Sequence, residues 1–189
     1  MISVIHELGH AVLLRRFNIS ITKFELELGA DYFGAVGFSP GGVPRDRTVV
    51  VAFGGPLAEL RTSGEDRAID RDRSLTPLAR ALVGPPGVQV YYQDIVAPKA
   101  FGKEVFGTDW NDVERLFTEA LKDNPELNVC ELHRGLLSEA IDLINAPANW
   151  NVVTAVALEL LALEQVRTLV YGQTVDLTEV VTALIDPKL

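Results

Sequence analysis

His6-Glu7-Leu8-Gly9-His10 lies inside a stretch that is otherwise almost wholly apolar, with Met1-Ile-Ser-Val-Ile5 before it and Ala11-Val-Leu-Leu14 after it. A helix that is apolar nearly all round is a buried helix. Two imidazoles and a carboxylate are costly to bury unless they are paired or hold a metal. The spacing supplies the second solution. Residues four apart on a helix share one face, a turn apart, so His6 and His10 can aim ring nitrogens at a single ion. Glu7 projects beside them, within reach of a water on that ion. This is the H-E-x-x-H pattern that zinc hydrolysis needs. At ordinary usage a chance match turns up in roughly one chain in two hundred of this length, and here two of the three histidines fall in it. The competing reading is a pair of satisfied core histidines with a glutamate on the helix surface.

The rest of the composition bounds the possibilities. A chain of 189 residues, 48% apolar, can bury one good core and is not disordered. We therefore expect a single domain over 1–189, with the metal-site region in 1–121 and a helical part in 122–189. The net charge of −9 disfavours nucleic acid and anionic membranes as partners. Cys130 is the single cysteine, so no internal disulfide can form; a small buried apolar residue is its simplest role. Met1 leads into the motif helix without a basic segment, so no signal peptide is expected. The longest apolar run, Val152 to Leu163, is about half a membrane span and carries Glu159. No membrane span is expected, and the cytoplasm is the default compartment.

Along the chain, residues 2–17 read as the motif helix, with Arg15 and Arg16 suited to its C-terminus and Asn18 as its stop. Residues 19–28 read as a strand, because Phe24, Leu26 and Leu28 alternate with Lys23, Glu25 and Glu27. A turn at 29–31 leads to a second strand at 32–39, where Gly34 and Gly37 leave room for close backbone approach. A loop at 40–44 precedes a helix over 47–61. Ala52, Gly54, Gly55 and Ala58 in that helix would let another helix come close, and the first helix is the expected partner. Gly and Pro inside a helix cost stability, so the run needs such a reason. A charged segment follows at 63–73, then a short helix at 75–83, a Gly-Pro-Pro-Gly break at 84–87 and a strand or irregular loop at 88–96. Thr108 reads as the N-cap of a helix reaching Lys122, with Asp109 and Asp112 in its first turn. Further helices are expected at 129–145, 149–169 and 177–185, the last capped by Thr174 or Asp176. The fold class is α+β, mostly helical: a zincin-like motif helix with a small sheet, then a C-terminal helical bundle.

A catalytic zinc takes three protein ligands and keeps an open position. The motif supplies two. The longer H-E-x-x-H-x-x-G-x-x-H pattern is excluded by Leu13 and Arg16. His133 sits in a late helix and reads as a partly exposed polar residue. Glu59 is the one good glutamate candidate. At this point His6-Glu-Leu-Gly-His-Ala-Val12, then Tyr32-Phe-Gly-Ala-Val-Gly-Phe-Ser-Pro40, then Ala52-Phe-Gly-Gly-Pro-Leu-Ala-Glu59 resembles the peptidase domain of FtsH-type zinc proteases. It is at least as similar to the small stand-alone bacterial relatives of that domain. The likeness covers 1–121 in scattered blocks, and the later Asn149-Trp-Asn-Val-Val helix is similar to the C-terminal helix of the small relatives. Leu8 stands where the family has a small residue.

The resemblance implies that an aspartate opening a later helix completes the zinc site. Asp109 is preferred, because Val113, Leu116, Phe117, Ala120 and Leu121 follow at the family's apolar offsets. Asp70 competes through its shorter distance from Glu59, although Ser74 and Pro77 fall at two of those offsets. Asp112 comes third, with Glu119 and Asp123 on the side that should be buried, and Asp66 after it. The expected activity is that of an ATP-independent zinc metalloendopeptidase, with Glu7 as general base on the water and then proton donor to the leaving amine. No phosphate-binding G-x-x-x-x-G-K-[ST] loop is present, so no ATP is expected. A peptide or protein substrate would lie extended along one of the two strands. The alternative is a zinc-binding but catalytically weak regulatory or interaction domain.

Overall fold

A computed structural model describes residues 2–28, 33–39, 41, 43–68 and 109–189. The turn expected at 29–31, the segments expected at 75–83, 84–87 and 88–96, the Thr108 cap and Asp70 lie outside the described residues. So do the side chains of Asp66, Asp112 and Cys130.

The motif helix is α1, Ile2–Arg16. Asn18 ends it in the left-handed conformation, at φ 57°. The Asn18 N–H returns to the Arg15 carbonyl at 3.0 Å and the Ile19 N–H to the Leu14 carbonyl at 2.8 Å. This is the Schellman arrangement that satisfies a helix's last carbonyls, and Asn tolerates it better than most residues. The chain then enters β1, Ile21–Glu27, and returns as β2, Phe33–Phe38.

The two strands pair antiparallel, with Phe24 opposite Val36 and Leu26 opposite Gly34. The register shifts between Ile21 and Lys23. Thr22 is the extra residue, so Ile21 is buried although it stands three positions before Phe24. The expected period-two face is therefore real from Phe24 onward and offset by a bulge before it.

A third strand, β3, was not expected. Thr174–Asp176 pairs antiparallel with Glu25–Glu27, giving the strand order β2-β1-β3. Of the two caps expected for the last helix neither holds the cap position, which falls to Leu177 without a side-chain bond; Asp176 stands one residue before it. Its carboxylate accepts the Thr178 N–H at 2.9 Å, just as α7, Thr178–Ile185, begins. The Thr178 hydroxyl oxygen in turn accepts the Phe24 N–H at 2.8 Å. Hence the part expected to be purely helical also supplies one edge of the sheet.

The long second helix, α2, runs Arg45–Ala68, seven residues beyond its expected end at 61. It packs on α1, as the small residues predict. A Cβ on Gly9 would lie 2.3 Å from the Gly54 carbonyl oxygen and 2.8 Å from the Ala58 Cβ. The two backbones touch, and no other residue fits there. Around this crossing stand α3 (Asp109–Asp123), α4 (Val129–Asn145) and α5 (Pro147–Ala162). Pro147 occupies the first turn of α5, where a missing N–H costs nothing. The single helix expected at 149–169 is interrupted at Leu163, which is extended (φ −64°, ψ 133°), and a short α6, Glu164–Arg167, follows. A 3₁₀ turn, Asp186–Lys188, follows α7.

The fold is α+β and mostly helical. One buried cluster joins all the long helices to the inner face of the sheet. No described helix is long and apolar enough to cross a membrane.

Candidate metal centre

Four elements converge on one cavity of about 430 Å³. α1 contributes His6, Glu7, His10 and Leu14; β2 contributes Gly34 to Phe38; α2 contributes Thr48, Val51 and Ala52; α3 contributes Asp109 and Arg115. Within it the His6 Nε2 lies 3.1 Å from Asp109 Oδ2 and 3.2 Å from His10 Nε2. The His10 Nε2 lies 3.7 Å from the same carboxylate oxygen. Two ligands 2.0–2.1 Å from a tetrahedral ion stand about 3.3 Å apart. The triangle formed by these three atoms brackets that value. This group can hold a metal ion, and among the described residues no other set of His, Cys, Asp or Glu does so.

The tautomers agree with this. His10 Nδ1 is 2.7 Å from the Val51 carbonyl and 3.3 Å from the Gly55 N–H. One nitrogen cannot donate to the first and accept from the second. The shorter contact decides, placing the proton on Nδ1 and leaving the Nε2 lone pair directed at the triangle. His6 Nδ1 lies 3.1 Å from Glu59 Oε2, so it donates to that carboxylate. Metal-binding histidines are held this way, the far nitrogen donating to a carbonyl or carboxylate. Glu59, a candidate third ligand from sequence, thus sits on the other side of the His6 ring and orients it.

Two lone pairs and a carboxylate at these distances repel unless positive charge lies among them. A proton on His6 can supply it. Burial alone would lower the His6 pKa, but hydrogen bonds to Asp109 and Glu59 and the charges of Asp109 and Glu7 outweigh burial and raise it to about 10. Burial pushes the Asp109 carboxyl up, and the adjoining His10 and His6 more than reverse this, holding it well below the usual carboxylate range. A divalent cation is the other way to supply the charge.

Glu7 is buried on the side of the cavity facing β2. A Cβ on Gly34 would lie 2.3 Å from the Glu7 Cγ. Burial raises the Glu7 pKa, the nearby Asp109 adds to this, and His10 and His6 oppose it. Its carboxylate is therefore a stronger base than an exposed one. Gly55 performs the matching service for His10, since a Cβ there would lie 2.3 Å from its Nε2.

No protein-family model, curated protein or solved structure matches this chain. Its chemistry rests on this geometry.

Of the residues expected from sequence, His6, Glu7, His10 and Asp109 share the cavity. His133 does not. It is buried rather than partly exposed, set edge-on between the rings of Phe53 and Phe117 at 5.5 and 5.6 Å. Leu121, expected on the buried face of α3, is exposed, whereas Val113, Leu116 and Phe117 are buried. Gly34 was expected to admit a neighbouring backbone and instead admits the Glu7 side chain. The Val51 carbonyl and Arg115 carried no sequence signal, because a backbone group and an isolated surface-type arginine reveal their role only through what the fold sets beside them.

Proposed function

We propose that this chain is a zinc-dependent metallopeptidase, akin to stand-alone relatives of the FtsH-type peptidase domain and independent of ATP. The carrying observation is the convergence of His6 Nε2, His10 Nε2 and Asp109 Oδ2 in one cavity with a buried Glu7. The donor set, two imidazole nitrogens and one carboxylate oxygen, suits zinc, and as three ligands it leaves a fourth position for chemistry. Bound zinc supplies Lewis acidity, bringing a water's pKa near neutrality and polarising a carbonyl.

The chain's own residues do the rest. Glu7 accepts a proton from the attacking water and holds it, which its raised pKa favours. It then delivers that proton to the departing amine nitrogen as the carbon–nitrogen bond breaks. Glu59 and Val51 keep the two imidazoles oriented. Substrate aligns along β2, the outer strand of the sheet on the cavity side; β1 is taken on both sides by β2 and β3. Main-chain pairing of an extended peptide with that edge suits a peptidase, because it grips backbone of any sequence.

The test is Glu7→Gln. Zinc should still bind in the variant, measured by competition with a chromophoric chelator. Hydrolysis of a fluorogenic casein should fall to the chelated background. Undiminished turnover would remove Glu7 from the mechanism.

A further inference from the structure

The cavity carries one further charged side chain. We propose that Arg115 reads a substrate carboxylate, so that the preferred peptide bears an acidic side chain or a free C-terminus two or three residues from the bond cleaved. This rests on the peptidase reading above and adds a substrate class to it. Among the described residues, every side chain lining the cavity other than His6, Glu7, His10, Asp109 and Arg115 is uncharged. Arg115 therefore introduces the one permanent positive charge among the described residues of this cleft, in a chain whose net charge is −9.

Its place on the helix sets the distance. Asp109 and Arg115 lie six residues apart on α3, about 9 Å along the axis. Arg115 lines the same cavity as Asp109. An extended peptide advances about 3.3 Å per residue. The guanidinium thus meets groups two or three residues from the point where Glu7 acts. Arg115 Nη1 also contacts Glu119 Oε1 at 3.1 Å, in an exposed pair one helical turn apart. Such pairs are weak in water, so a carboxylate held in the cleft can compete for the guanidinium in the two-pronged geometry arginine favours. Glu119 is not stranded by the exchange, because Arg45 Nε lies 4.0 Å from its other oxygen.

Binding is measured on zinc-loaded Glu7→Gln protein by fluorescence anisotropy. The probes are a neutral, amidated nonapeptide, the same peptide with a single Glu scanned through its positions, and the same peptide with a free C-terminus. We expect the Glu series or the free-acid peptide to bind about 5- to 30-fold tighter than the neutral one, and which of them does so identifies the source of the carboxylate. Adding Arg115→Gln should shrink that ratio below twofold, and Arg115→Lys should keep part of it. The Arg115 side chain is 55% exposed, so neither change disturbs the core. Equal binding of all probes, a preference that survives Arg115→Gln, or no binding at all would overturn the proposal. Turnover of the same peptides by protein with Glu7 intact separates the two readings. Carboxylate-dependent binding without hydrolysis defeats the peptidase and leaves Arg115 in place. Hydrolysis without that dependence does the reverse.

Discussion

His10 is held from three sides at once. α1 aims it, the Val51 carbonyl fixes its proton, and Gly55 leaves the space its Nε2 occupies. Because Nδ1 is anchored, the ring cannot swing away from a group added at position 55. Gly55→Ala should therefore weaken zinc binding by about 100-fold, the upper range for losing an orienting partner. A chelator competition measures this, with a thermal melt to show that the variant is folded. Unchanged affinity would mean that His10 is not a ligand. The motif histidines and Glu7 were legible in the sequence because their spacing is local and helical. Asp109 was legible only as one aspartate among several, since it reaches His6 across 103 positions of chain.

At the scale of elements, the crossing of α1 and α2 is the construction on which the centre depends. Gly9 and Gly54 meet backbone to backbone, and the atoms a Cβ on Gly9 would strike, the Gly54 carbonyl and the Ala58 Cβ, are not flexible side-chain ends. Gly9→Ala should cost about 1–3 kcal/mol, the usual loss for overpacking a tight contact. Gly135 offers the opposite case. It lies mid-way along α4 on an exposed face, and a Cβ there would meet nothing within 4 Å. Gly135→Ala should gain about 0.5–1 kcal/mol from backbone entropy alone. Opposite shifts of the two melting temperatures check both, and a neutral Gly9→Ala would show that the helices do not pack this closely. The small-residue run of α2 announced this contact in the sequence. The extension of α2 past 61 and the interruption at Leu163 carry no local signal of that kind. β3 was hidden for a different reason: three residues are too few to show alternation, and Thr174–Asp176 becomes a strand only because the edge of β1 is there to pair with it.

For the molecule as a whole, His133 ties three helices together. It belongs to α4, and its ring is enclosed by Phe53 of α2 and Phe117 of α3. Burial lowers its pKa from 6.5 to about 4. Unfolded chains take up this proton below about pH 6.5, while the folded chain does so only near pH 4. Between those limits the unfolded state binds more protons, so stability falls as the pH falls. Acidification from pH 7 to pH 5 should cost on the order of 2 kcal/mol through this one residue. Urea midpoints at the two pH values should show a smaller acid loss in His133→Gln. An equal loss would place the acid sensitivity elsewhere.

What the sequence determined by itself is whatever depends on near neighbours: the motif helix and its Asn18 stop, the alternating strand from Phe24, the small-residue face of α2 and the amphipathic start of α3. Periodicity and capping act within a few residues, so they can be read without a fold. The tertiary structure decided which carboxylate meets the two histidines, that Glu59 stands behind His6, that β2 is the outer strand beside Glu7, and that Arg115 enters the cleft. Each of these joins residues far apart in the chain, and only packing brings such residues within bonding distance.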